Sequence, residues 1–414
     1  MADDAASAPA GTGFADSSGE RPHVPERRRP LVVAEIVNSP FAYRHFVQPL
    51  VRRLEADGHR IMVLCPEAER FRAEHGAAVE LHDIPLLRSL DPARILGALA
   101  RMRALLKAGR PDVAHCHMPI SGVVGRVAAR LAGVPRIAYT CHGFLFNQPG
   151  PWWRRTLSLL VERGCGPLTD LLMTVSEAEA EDARRLRIHP NPVPVGNGRD
   201  PAVFRFDPEA RERLRRAFGV GSEDCVIVSV ARLVEHKGLL DLVDAMPYLF
   251  GAWRIWIVGD RVPGDRGPDV KHVLERAQEA SGGRLRLLGM RDDIPAVLSA
   301  ADVFCLPSHF EGLPMSIIEA MLVGLPVVAS DIKGVRELVE HRRTGFLSAP
   351  NAPQGLACFL NELITRPEQR RAFGEAGRRK ALDRFTEELV LKRVVSLLSG
   401  APRPCITERA SASP

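Results

Sequence analysis

Aromatic residues are scarce, 6% of 414 residues, with four Trp and three Tyr. No zinc-finger spacing and no aromatic single-strand platform appears, so only a formal net charge of +6 speaks for nucleic acid. No run reaches the ~18 uncharged apolar residues that a membrane-spanning helix needs. The eight cysteines, at 65, 116, 141, 165, 225, 305, 358 and 405, form no CxxC pair and no regular spacing. Cys65, Cys116, Cys225 and Cys305 lie in apolar runs and read as small buried hydrophobes in a reducing cytoplasm. The first 30 residues open with acids, hold no apolar stretch, and carry four Arg against five Asp or Glu. They read neither as a secretory signal nor as a basic arm.

What is present is an average soluble composition, 45% apolar and 26% charged. The length calls for two domains at roughly 100–200 residues each. Residues 1–30 and 401–414 are rich in Ala, Ser, Pro and charge and are expected to be disordered tails. Between them, short β-branched runs alternate with helical patterns. Strands are expected at 31–38, 60–65, 79–85, 112–117, 136–141 and 171–175. One intervening helix carries apolar residues at 95, 96, 99, 102, 105 and 106. The proline-rich stretch 189–210 marks a boundary near mid-chain, and strands resume at 225–231, 254–258, 284–289, 302–307 and 326–330. Continuous apolar strands with helices between them mean parallel sheets covered on both faces. The expected fold is therefore α/β, two doubly wound Rossmann-like domains facing a central cleft. The first spans 31–197 and the second 198–385. No internal repeat is visible by residue identity.

Two segments carry the chemistry. In SVARLVEHKGLLDLVDAM (229–246), a loop delivers Arg232 and Lys237 to the start of a helix. Two cations beside free helix N–H groups form an anion site. The alternative is a solvated loop with two surface cations. In LPSHFEGLPMSIIEAMLVGLPVVAS (306–330), Glu311 and Gly312 precede a helix opened by Pro314. Gly312 permits close backbone approach, so the N–H groups near 312–316 can face a phosphate. Glu319 lies farther along that helix among Ile317, Ile318, Ala320 and Met321, where a buried carboxylate needs a partner. Carboxylates on either side of a phosphate site can hold hydroxyls, the layout of a sugar nucleotide.

These motifs resemble the retaining glycosyltransferases of family 4, bacterial polysaccharide type, which have the GT-B architecture. The likeness rests on RLVEHKG, on Glu311 and Glu319 with seven residues between, and on PVVASDIKGVRELVEHRRTGFL. VAHCHMPISGVVGRVAARLAGVPRIAYTCHGFLF and MTVSEAEAEDARRL extend it to the first half. The resemblance covers about residues 31–400. It implies that Arg232 and Lys237 hold the donor diphosphate and that Glu311 contacts the transferred sugar, aided by the N–H groups of Gly312, Leu313 and Met315 in the stretch that includes Pro314. (Proline itself contributes only its carbonyl and its fixed backbone.) It implies further that Glu319 binds ribose hydroxyls, that Met290 and Arg291 pack on the base, and that His142 lies near the reacting sugar. Asp331–Gly334 and Glu337 match a variable donor-side loop, and the last helix, 386–399, would cross back to the first domain. The loop at 37–46 has no glycine where the family has several, which leaves Arg44 and His45 as candidates there.

The activity implied is sugar transfer from a nucleotide diphosphate, a UDP-sugar first and a GDP-sugar next, to a glycan acceptor, with no metal or other cofactor. The acceptor implied is lipid-linked on a polyprenyl diphosphate, and the place is the cytoplasm with peripheral contact at the inner face of the membrane. Two other readings stay open: a sugar-nucleotide epimerase of the same two-domain form, and a basic nucleic-acid-binding protein. The run HGFLFNQPGPWWRRTLSLLVERG (142–164) sets Trp152 and Trp153 beside Arg154 and Arg155, which fits a membrane interface. The alternative is a helix packed into its own domain, above all after Thr156. His115 and His117 share a strand face, but no carboxylate or thiolate for that face is evident, so no metal site is expected.

Overall fold

A computed structural model describes residues 29–85, 91–262, 265 and 268–400. The two tails expected to be disordered lie outside the described residues, except for Arg29 and Pro30.

Two parallel sheets form the frame. The first contains β1 (Val32–Ile36), β2 (Arg60–Cys65), β3 (Val79–Asp83), β4 (Val113–His117), β5 (Arg136–Cys141), β6 (Leu171–Thr174) and β7 (Val193–Pro194). Its order is β3-β2-β1-β4-β5-β6-β7. The second contains β8 (Cys225–Val230), β9 (Trp253–Val258), β10 (Leu285–Gly289), β11 (Val303–Leu306), β12 (Val327–Ser330) and β13 (Gly345–Ser348), ordered β10-β9-β8-β11-β12-β13. The two sheets repeat one topology over six strands, a repeat hidden at the level of residue identity. β7 and β13 were not expected. β7 is two residues long inside a proline-rich stretch, and β13 begins with Gly345, so neither shows a run of apolar residues.

The strands are buried because helices cover both faces. β1, β4 and β5 are almost wholly inaccessible, and so are β8, β11 and β12. Local chemistry sets the helix ends. Asp91 accepts from the Ala93 N–H and starts the helix Pro92–Gly109, and Ser176 caps Glu177–Arg185 in the same way. Gly324, at φ 95°, stops Met315–Val323 in a left-handed cap.

The final helix, Glu387–Leu398, packs on the first sheet's side. Its Val394, Leu397 and Leu398 join the cluster that holds Val33, Val51 and Leu54. Arg393 donates to the Val195 carbonyl at 2.6 Å, and Arg136 donates to that of Leu398 at 3.1 Å. Among the described residues, the first strand and the last helix thus lie on one sheet. We expect Leu398→Ala, at a site 1% exposed, to cost about 2–5 kcal/mol of stability. A urea midpoint unchanged from wild type would show that the last helix does not contribute to the first core.

Candidate active site

In both sheets the strand order reverses between the first and fourth strands. Loops at the carboxyl ends beside such a reversal diverge and leave a crevice. The loops after β1, β4, β5, β8 and β11 line one cavity of about 710 Å³, within the range of small-ligand sites.

Its second-sheet wall is the predicted anion site. Lys237 donates to Glu311 Oε1 at 2.7 Å, and Ser308 donates to the same oxygen at 2.7 Å. Arg232 lines the same cavity, paired with Asp265. Gly238, at φ +65°, lets this loop pass the Pro307 carbonyl, where a Cβ would collide. Phe310, Glu311, Gly312, Leu313, Pro314 and Met315 continue the wall to the N-terminus of the helix Met315–Val323. His236, which the motif reading passed over, sits between the two cations. Burial and the charges of Lys237 and Arg232 push its pKa down to about 4, so it is neutral at pH 7.

The facing wall comes from the first sheet. His142 follows β5, and a Cβ on Gly312 would lie 2.9 Å from its carbonyl oxygen, so the two halves meet there. Asn197 donates to the Leu313 carbonyl at 2.8 Å. Met118 adopts φ 64°, ψ 159°, a region that costs a non-glycine residue ~1–3 kcal/mol. It joins His117 to the helix Pro119–Ala132 and lines the cavity. The glycine-free segment after β1 turns helical at Pro40 and presents Asn38, Phe41, Ala42 and Phe46 to the cavity. Arg44 is held on Glu74 at 2.6 Å, and neither it nor His45 is among the lining residues.

Two family models match the chain: a glycosyl transferase 4-like domain over residues 42–198, and glycosyl transferases group 1 over 210–380. The Escherichia coli UDP-Gal:alpha-D-GlcNAc-diphosphoundecaprenol alpha-1,3-galactosyltransferase is 31% identical over 315 residues, 73% of this chain and 79% of that one. The chain belongs to the family 4 glycosyltransferases. The alpha-maltose-1-phosphate synthase of Mycolicibacterium smegmatis is 29% identical over 76% of this glycosyltransferase and 85% of its own length. The crystal structure of Anabaena Alr3699/HepE in complex with UDP matches with a TM-score of 0.75 at 23% identity. It covers 90% of this chain and 100% of that one, and the likeness concerns the GT-B fold.

Other candidate residues of this glycosyltransferase lie apart from the cavity wall. Glu319 has the partner its burial demands: Arg199 donates to it at 2.7 Å, and Arg199 also reaches the His45 carbonyl at 3.1 Å. Burial raises the Glu319 pKa, with Arg199 opposing. Met290 is 61% exposed, and Arg291 is paired with Asp293 at 2.6 Å. Neither lines the cavity. Glu337 accepts from the N–H groups of Glu177 and Ala178 at 3.1 and 3.0 Å, joining the halves outside the cleft. Arg199 was not legible as a partner, since 120 residues separate it from Glu319.

The expectation that His115 and His117 lack a carboxylate is corrected. Glu35 of β1 stands opposite His115 in the strand register and lies 2.7 Å from His117 Nε2. Adjacency of β1 and β4, 80 residues apart in sequence, is what brings it there. Among the described residues this trio is the group that could hold a metal ion.

Glu179 sits behind the His142 loop, accepts the Phe144 N–H at 3.0 Å, and has one oxygen without a partner. Burial first, then Glu337 and Asp182, push its pKa up to about 8, against the Phe144 N–H and Lys333. An unfolded glutamate titrates near 4.5. From there to about pH 8 the unfolded chain sheds this proton first, so the native state loses stability as pH rises. Glu179→Gln should therefore gain Tm over wild type progressively from pH 5 to 8 and level off above. A difference constant across that window would contradict a protonated Glu179.

Proposed function

We propose that this glycosyltransferase moves a sugar from a UDP-sugar to a lipid-linked glycan acceptor, with retention of anomeric configuration, at a membrane surface. The observation that carries the donor half is the convergence of Lys237, Arg232 and the helix N-terminus at Met315 on one cavity, with Glu311 among them. Breaking a sugar–phosphate bond builds positive charge on the ring and negative charge on the departing diphosphate. Cations fixed in advance stabilise that charge without reorganising solvent. Both cations rest on carboxylates, Lys237 on Glu311 and Arg232 on Asp265. The diphosphate would draw them off, freeing Glu311 to accept from sugar hydroxyls. Retention follows in this reading if the leaving phosphate takes the proton of the incoming hydroxyl on the same face. Met290, Arg291 and Glu319 would serve the base and the ribose. No step calls for a metal.

The name of the Escherichia coli relative supports the choice of a UDP-sugar and of a diphosphoundecaprenol-linked acceptor. The helix Trp152–Cys165 supports the membrane half. Its inward side carries a buried ion pair beside Leu159 and Cys165: Glu162 receives Arg126 at 2.9 Å and accepts from Tyr139 at 3.3 Å. Its outward side is apolar. Trp152 is 77% exposed, and Trp153, Leu157, Leu160 and Val161 are exposed as well. After Thr156 the helix does both: Leu159 packs on the first-half core and Cys165 is buried, as one sequence reading held, while Leu157, Leu160 and Val161 face outward. Arg154, on the same helix, lines the cavity, so a lipid-anchored diphosphate at this face would lie beside the donor. No described helix is long and apolar enough to cross a membrane. The occupant proposed for this face is an anionic bilayer surface.

Incubation with a panel of nucleotide sugars and a polyprenyl-diphosphate glycan should give transfer from a UDP-sugar. The first-formed product should keep the donor's anomeric configuration, as read by NMR. Lys237→Ala should lower kcat by about 10²–10³. Transfer with inversion, or full activity in the variant, would reject the mechanism. Vesicles containing anionic lipid should bind the protein, and the double change Trp152→Ala and Trp153→Ala should weaken binding several-fold. Equal binding by that variant would remove the membrane reading while leaving the donor site intact.

A further inference from the structure

Beneath the cavity floor, five polar side chains form one line through the first sheet. Thr140 Oγ1 lies 2.7 Å from His115 Nε2, and His115 Nδ1 lies 3.1 Å from Glu35. The other Glu35 oxygen is 2.7 Å from His117 Nε2, and His117 Nδ1 is 3.4 Å from His142 Nε2. Glu35, His115 and His117 are each 3% exposed or less. Such a group is too costly to bury unless it is paired throughout.

The proton positions follow from the carboxylate. Burial would raise the Glu35 pKa, but His115 and His117, by charge and hydrogen bonding, outweigh it and hold it at about 2. An ionised carboxylate only accepts, so both imidazoles turn an N–H toward it. His117 therefore carries its proton on Nε2. Burial, then the charge of His115, holds the His117 pKa at about 4 against Glu35, so the ring is neutral and Nδ1 is a lone pair. That lone pair can accept only from Nε2–H of His142. Burial and the two neighbouring histidines hold the His142 pKa well down, so it is neutral too. Its remaining nitrogen, Nδ1, is a buried acceptor with no partner, on a residue that lines the cavity. The reverse tautomers would set a lone pair against the carboxylate.

We propose that Glu35, His115 and His117 are positioning residues that lock His142 as the Nε2–H tautomer and so offer its Nδ1 lone pair to a hydroxyl of the transferred sugar. The sugar contact rests on the glycosyl-transfer reading above; the tautomer lock does not. The lock makes the site selective for a sugar that has a donating hydroxyl at that position. A deoxy analogue would leave the Nδ1 acceptor unpaired, which buried sites penalise strongly. The 3.4 Å link is the longest in the line, and such contacts tighten when substrate fills a site.

The test uses the full chain with ¹⁵N-labelled histidine. In the wild type, long-range proton–nitrogen spectra should show His142 protonated on Nε2 and bare on Nδ1, with or without donor. His117→Leu removes the acceptor and should leave His142 as a mixture of tautomers. In that variant kcat should fall by about 10–100-fold, the range typical of lost outer-shell partners, with the KM for donor nearly unchanged. His117→Asn places Oδ1 near the lost Nδ1 and should restore both the tautomer and most of the rate. If His117→Leu does not fold, Glu35→Gln reads the same effect. An amide cannot accept from both imidazoles, so part of the His142 signal should move to the Nδ1–H form.

A wild-type His142 protonated on Nδ1 would overturn the proposal, as would equal rates in folded His117→Leu and His117→Asn. One tightly held zinc per purified chain would overturn it as well, since Glu35, His115 and His117 would then be ligands and not a proton-ordered line. If no donor supports transfer, the glycosyl-transfer reading falls, and the His142 tautomer still reports on the lock.

Discussion

A buried carboxylate on β1, Glu35, lies behind His142, which lines the same crevice as the ion pair of Lys237 with Glu311. Both exist because parallel strands deliver all their carboxyl ends to one side. Where the strand order reverses, the loops after β1 and β4, and those after β8 and β11, diverge and leave room for a ligand. The remaining features serve that geometry. Helices cover both sheet faces so that the strands can be apolar on either side. The helix Glu387–Leu398 packs on the first sheet, and Glu337 caps the helix Glu177–Arg185 across the halves.

The cavity mixes two kinds of electrostatic preparation. On the second-sheet side, full charges wait in pairs, partly exposed, so that an anion can exchange one carboxylate for another at modest desolvation cost. On the first-sheet side, besides Arg154, a sequestered carboxylate is proposed to act through imidazoles as direction and not as net charge. The first arrangement suits a diphosphate leaving group. The second suits recognition of an uncharged hydroxyl, where what matters is which nitrogen carries the proton. Glu179, behind the same loop, is kept neutral by burial, so no second negative charge competes near the His142 backbone.

Local sequence carried much of this. Eleven strands were legible because most are short, nearly continuous apolar runs, and the second-sheet wall of the cavity was legible because Arg232, Lys237, Glu311 and Gly312 sit at fixed offsets from strand ends. β7 and β13 were not, since proline and glycine interrupt the pattern that identifies a strand. The outward apolar face of Trp152–Cys165 was half legible. Its tryptophans stood out, but which side faced the core depended on Arg126, 36 residues away from Glu162.

The order of residues along the chain was enough to determine the α/β class, the paired Rossmann-like halves and the family, because these depend on periodicity and on spacing within one strand–loop–helix unit. Only tertiary structure decided that Glu35 joins His115 and His117, that Arg199 neutralises Glu319, and that His142 meets Gly312. Each of those contacts spans 80 residues or more. Strand pairing and the approach of the two halves place such partners, and neither leaves a local pattern in the chain.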